Sequence, residues 1–278
     1  MPGEEPTNPS STAENNILRV SVGLTRIGWR TINADMAKAA RRVDGRKNDE
    51  LRPIRIVRGY TKAAAGSVLI QSGDTHILCT ATVEEKIPEW RKSSGLGWVT
   101  AEYDMLPAAT GERKRRNRGG KIDGRVQEIQ RLIGRSLRAI VDTKKLGPRT
   151  IWIDCDVLQA DGGTRTASIT GAYVALVDAL RTLEKKKLVG PGVLNDSVSA
   201  VSVGLLGDRV LLDLCYVEDK DAHVDFNVVV TGRGQYVEVQ GAAEAGTFTP
   251  SQMNRILKVA GSGVKQLQRI QEKALGRK

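Results

Sequence analysis

Aromatic side chains make up only 4% of this 278-residue sequence. That scarcity argues against the stacking platforms on which single-strand binders lay successive bases. Cysteine is almost as scarce: Cys79, Cys155 and Cys215 are the only three, and none forms a CxxC pair. An odd, unpaired set excludes a disulfide framework and a Cys-rich zinc site, and points to a reducing, cytoplasmic setting. The two histidines, His76 and His223, are too few for a His-rich metal centre. No apolar run reaches the roughly eighteen residues of a membrane helix, so no membrane partner is expected. GxxxxGK[ST] is missing, and no GxGxxG joins a strand to a helix, which excludes a P-loop and a Rossmann site.

Positive charge, by contrast, is abundant. Lys and Arg number 43 against 32 acids, a net charge of +11. Such a surface attracts polyanions, nucleic acid first among them. With few aromatics, contact would rest on phosphates. Residues 1–15 read as a polar tail, and 17–33 as a basic, partly alternating stretch; Met36 offers an internal start. No basic segment followed by an apolar run suggests a secretory signal. These features set a weakly structured extension over 1–42 apart from a body over 43–278.

The body begins with strand patterns. PIRIVRGY (53–60) is followed by a hairpin over 66–85 around Ser72, Gly73 and Asp74, and by a strand within 96–106. Val126, Ile129, Leu132, Ile133, Leu137, Ile140 and Val141 then fall on one helical stripe. TIWIDCDVLQ (150–159) alternates as a half-buried strand, and 167–183 is apolar nearly all round, a buried helix. Further hairpins are expected over 198–219, turning at Gly207 and Asp208, and over 225–241, turning near Arg233. Thr249 or Ser251 caps a last long helix. Strands and helices in two similar halves define one α+β domain with a mixed sheet.

Four groups carry candidate chemistry. In the strand-to-helix turn Asp161-Gly162-Gly163-Thr164-Arg165, glycines admit a close ligand, and a helix tip, a hydroxyl and a guanidinium suit phosphate. A plain helix start, with Asp161 as its cap and Arg165 on the surface, is the structural alternative. Arg125 opens the 126–141 helix; it either reaches the same anion or is simply solvated. In the acidic cluster Glu218, Asp219, Asp221 and Asp225, Asp219 closes one expected strand and Asp225 opens the next, so a hairpin would bring both carboxylates to one end of a sheet. Such a pair suits magnesium, general acid–base work, or merely a solvated turn. Finally, residues 110–125 hold seven Lys and Arg against two acids. This exposed loop, with Arg113, Lys114, Arg115, Arg116, Arg118 and Lys121, either contacts successive RNA phosphates or is a solvated basic loop.

Together these segments resemble the ribonuclease PH family of phosphate-dependent 3′-to-5′ exoribonucleases. The strings are VDGRKNDELRPIRI (43–56), GSVLIQSGDTHILCTATVEE (66–85), GWVTAEYDMLP (97–107), GRVQEIQRLIGRSLRA (124–139), IDCDVLQADGGTRTASITGA (153–172) and YVEDKDAHVDFNVV (216–229). The resemblance implies the ribosomal protein S5 domain 2-like fold, with mixed sheets and a central helix pair. It implies trimming of precursor tRNA 3′ ends by inorganic phosphate with Mg²⁺, releasing nucleoside diphosphates. It implies a homo-oligomer, a hexamer built as a trimer of dimers. It places phosphate on Arg125, Gly163, Thr164 and Arg165, the catalytic and metal-binding aspartates at Asp219 and Asp225, and RNA-guiding arginines at Arg113 and Arg116. Arg125 is counted among the catalytic groups. Ala108 stands where many relatives carry arginine, so RNA grip is redistributed into RKRRNR. A non-catalytic RNA-binding ring subunit is the competing reading, disfavoured because both arginines and both aspartates are kept. A two-metal hydrolytic nuclease would need a second carboxylate cluster.

Overall fold

The computed structural model describes residues 42–116, 123–244 and 246–276. Residues 1–41 of the expected extension, and Arg118 and Lys121 of the basic loop, lie outside the described residues.

The first sheet contains β1 (Ile54–Arg58), β2 (Gly66–Ser72), β3 (Thr75–Glu84), β4 (Trp98–Met105) and β5 (Thr150–Gln159), in the order β1-β2-β3-β5-β4. Neighbours are antiparallel except β4 and β5, which run parallel. A parallel pair needs a crossover, and the chain supplies it with α1 (Gly124–Arg138) and the single turn α2 (Thr143–Leu146). The expected stripe is the buried face of α1 as far as Leu137, with Val126, Ile129, Leu132 and Ile133; the helix ends at Arg138, so Ile140 and Val141 are buried beyond its end and not on it.

From β5 the chain turns directly into α3 (Thr164–Lys185), whose middle is buried on every side. Gly66 of β2 admits this helix: a Cβ there would stand 1.9 Å from the carbonyl oxygen of Ala175. The second sheet is antiparallel, β7-β6-β8-β9, from β6 (Val198–Leu206), β7 (Arg209–Leu212), β8 (Val224–Thr231) and β9 (Tyr236–Ala243). Its apolar side packs on α5 (Pro250–Ala274), which contributes Ile256, Ala260, Val264 and Leu267. Thr249 is the cap of α5, accepting from Gln252 N while the Gln252 side chain reaches back. Two mixed or antiparallel sheets with long helices between and beside them confirm the α+β reading.

One expectation fails. The second hairpin does not run to Asp219. Strand β7 stops at Leu212, and Asp213 takes φ 55°, which no strand continues. The chain then forms a short helix, α4 (Tyr216–Asp221), capped by Cys215 with Glu218 reaching back to the Cys215 backbone. Asp213 leaves the strand because its carboxylate is claimed elsewhere: it accepts from the backbone and guanidinium of Arg52.

Candidate active site

A cleft of about 560 Å³ opens where the first sheet, the start of α3, α4 and the second sheet converge. Its wall begins at the β5–α3 turn. Gly162 and Gly163 hold φ of +73° and +63°, a left-handed pair that frees the first N–H groups of α3. A Cβ on Gly162 would stand 2.7 Å from the Leu214 carbonyl oxygen, so the turn lies against the segment entering α4. Asp161 is not the helix cap, since Gly163 takes that position. Its Oδ1 instead accepts from Tyr216 N at 3.0 Å, tying the turn to α4. Arg52 completes the tie, donating to the Asp161 carbonyl oxygen and to both carboxylate oxygens of Asp213.

Arg165 is not a surface arginine. Its side chain keeps 15% exposure, and Nη1 donates to Gln240 Oε1 at 2.7 Å, with Glu128 Oε2 3.5 Å away. Arg125 enters from the start of α1, its backbone N–H bonded to Asp123 and its side chain exposed to the cleft. Asp219 projects from α4, while Asp225 and Asn227 project from alternate positions of β8. All six residues of the expected phosphate and aspartate sets therefore line one cleft: Arg125, Gly163, Thr164, Arg165, Asp219 and Asp225.

The carboxylates are perturbed. Burial lifts Asp219 above the usual carboxylate range, against the pull of Arg125 and Arg165. Burial also lifts Asp225, and the negative charges of Asp219 and Glu244 add to it. Two half-crowded acids that repel each other in an open cleft are a hard-oxygen donor pair that a divalent cation would stabilise. Among the described residues no three His, Cys, Asp or Glu side chains gather to cage a metal. The donor set therefore fits Mg²⁺, which binds through one or two carboxylates and completes its shell with water and phosphate oxygens.

Arg113 and Arg116 do not line the cleft. They are exposed on the segment following β4, which leaves from the rim formed by Met105 and Thr110. Lys114 of the same segment pairs with Asp104 at 2.8 Å. Several contacts around the site are not readable from the sequence, although Glu218 stands in the acidic cluster. Tyr103 donates to Thr164 at 2.8 Å. Arg42 and Glu218 form a buried pair at 2.5 Å behind α4. Gln240 faces Asn227 across the β8–β9 ladder. Gln240 also carried a signal, the alternation of polar residues along β8 and β9.

An α+β cleft pairing arginines and a helix tip with two carboxylates has the chemistry that suits an enzyme handling phosphate groups. Comparison with known proteins gives its place. The two domains of the 3′ exoribonuclease family match residues 50–181 and 196–263. The ribonuclease PH of Corynebacterium kroppenstedtii is 56% identical over 237 residues, 85% of this chain and 93% of that protein. The ribonuclease PH of Bifidobacterium longum is likewise 56% identical, over 84% of this chain and 96% of its own. Among solved structures, the Archaeoglobus fulgidus exosome with RNA bound to the active site shares the fold, at TM-score 0.70 and 20% identity. That likeness covers 86% of this chain and 96% of the exosome chain. The chain belongs to the 3′ exoribonuclease family, and within it to the ribonuclease PH type.

Proposed function

We propose that this cleft removes nucleotides from RNA 3′ ends by phosphorolysis. The chain is a phosphorolytic 3′-to-5′ exoribonuclease and nucleotidyltransferase, as its 56% identity to several ribonuclease PH proteins supports. The observation that carries the site assignment is the meeting of Arg125, Thr164, Arg165, Asp219 and Asp225 in one cleft.

In this reading inorganic phosphate is the co-substrate, held by Arg125, Arg165, the Thr164 hydroxyl and the Gly163–Thr164 backbone at the tip of α3. These groups offset its charge and fix one oxygen in line with the last phosphodiester phosphorus. That oxygen bonds to the phosphorus and the bond to the 3′-oxygen breaks; the 3′-oxygen takes the proton the phosphate gives up and becomes the new terminal hydroxyl, and a nucleoside diphosphate leaves. The step reverses when diphosphate is plentiful. Asp219 and Asp225 would hold Mg²⁺, which, when bound, stabilises charge on the phosphoryl and leaving oxygens. Because positioning and electrostatics dominate such transfers, no protein nucleophile is needed. Arg113 and Arg116, at the cleft's approach, contact RNA phosphates on the way in.

The same reading assigns precursor tRNA 3′ ends as the substrate, the cytoplasm as the setting, and a hexamer of three dimers as the assembly. It sets the catalytic domain at 43–278 and the extension at 1–42. The test uses 3′-labelled RNA with Mg²⁺ and phosphate. Nucleoside diphosphates are the expected products. Nucleoside monophosphates, or a rate indifferent to phosphate, overturn it, and no product at all favours an inert ring subunit.

A further inference from the structure

One hydroxyl pair at the base of the cleft is left unexplained by the phosphate reading. Tyr103 lies on β4 with 3% exposure, and its Oη donates to Thr164 Oγ1 at 2.8 Å. Thr164 is the first residue of α3 and faces the cleft. Among the described residues neither hydroxyl has another partner. Each oxygen carries one proton, which sets the order of the chain. Were Thr164 to donate inward, the buried phenol proton would have no acceptor, an uncompensated loss. With Tyr103 donating to Thr164, the threonine proton turns out toward the cleft, and an anion there satisfies it.

We propose that Tyr103 is a positioning residue, which fixes the Thr164 hydroxyl as an outward hydrogen-bond donor to the phosphate in the cleft. The proposal rests on the reading of this cleft as a phosphate site. Both ends are on rigid elements. Tyr103 sits in the β4–β5 ladder opposite Cys155, and Thr164 follows directly on the left-handed Gly163 cap. Burial pushes the phenol up to about 12, so its proton is present throughout the working range and the donor never switches off. In a chain O–H···O–H···O⁻ each bond polarises the next, so an inner donor strengthens the outer one. A carbonyl in the place of Tyr103 Oη would do the reverse, drawing the threonine proton inward.

The test compares wild type, Tyr103→Phe, Thr164→Val and the double variant in phosphorolysis. KM for phosphate, KM for RNA, kcat and thermal midpoint are all read. Losing one polarising hydrogen bond predicts a rise of about 3- to 10-fold in KM for phosphate in Tyr103→Phe, with KM for RNA unchanged. Because Tyr103 acts through Thr164, adding Tyr103→Phe to Thr164→Val has no further effect. A phosphate KM equal to wild type, or effects that multiply in the double variant, overturns the proposal. Should Tyr103→Phe fail to fold, 3-fluorotyrosine at 103 keeps the shape and sharpens the donor: KM for phosphate then falls, and an unchanged or raised value overturns the proposal. A wild type that ignores phosphate defeats the reading of the cleft itself, a different result from a phosphate-dependent enzyme indifferent to Tyr103.

Discussion

Arg165 is steadied from one side and open on the other. Gln240 and Glu128 hold its Nη1, while Nε and Nη2 make no bond among the described residues. A planar fork held this way presents two parallel donors to a tetrahedral anion, and lysine cannot copy that geometry. Arg165→Lys is therefore expected to cut kcat/KM for phosphate by about 100-fold, with the thermal midpoint nearly unchanged, as steady-state kinetics and a melting curve would show. The aspartates give the opposite balance of stability and function. Burial and two acidic neighbours raise Asp225, so its ionised form opposes folding. A raised carboxyl contributes stability below its unfolded value, and that contribution is lost as pH rises through the folded value. Asp225→Asn should thus melt a few degrees higher than wild type at neutral pH without Mg²⁺. The difference should shrink as pH falls below the carboxyl's raised value, and activity should collapse throughout. At this scale the sequence was partly legible. Arginine, aspartate and paired glycines announce phosphate chemistry by type. Arg52 does not, because its partner Asp213 lies 161 positions away and nothing local pairs the two.

The helix α4 shows why an element can be misread while its key residue is placed correctly. Alternation before Asp219 suggests a strand, and composition alone shows no reason to stop at Leu212. The reason is tertiary: the carboxylate of Asp213 is held by Arg52, and Arg42 donates to the Leu212 and Asp213 carbonyl oxygens as well as to Glu218. That pins the backbone and starts a helix turn that turns Asp219 toward Asp225. Arg42 and Glu218 keep 0% and 3% side-chain exposure. Burial pushes the Glu218 carboxyl up, but the Arg42 hydrogen bonds and charge outweigh it and hold it below the usual range. A depressed carboxyl contributes stability above its unfolded value and loses it as pH falls through the folded one. Glu218→Gln leaves a buried guanidinium without its anion. It should cost about 3 kcal/mol in urea unfolding at pH 7, and the gap from wild type should narrow in acid. It should also lower Mg²⁺-dependent activity, since α4 carries Asp219.

At the scale of the whole molecule, the proposed function has the net charge of +11 and the basic segment after β4 draw in the RNA backbone. Each lysine or arginine on a phosphate adds a counterion to those released on binding. Arg113→Ala and Arg116→Ala together should flatten the salt dependence of RNA affinity by about two units of log–log slope. They should leave KM for phosphate unchanged, because neither residue lines the cleft. Light scattering should give six chains per particle. The α+β class was legible from three hairpins, an apolar helix and amphipathic helices in sequence. The insertion of β5 between β3 and β4 was not, because periodicity reports which face a residue takes and not which strand it neighbours.

A crystal grown with phosphate and Mg²⁺ decides whether this cleft is where phosphorolysis happens. A tetrahedral anion is expected within hydrogen-bond reach of Arg125, Thr164 Oγ1 and Arg165, with a cation beside Asp219 and Asp225. Phosphate bound elsewhere, with this cleft holding only water at saturating concentration, would contradict it.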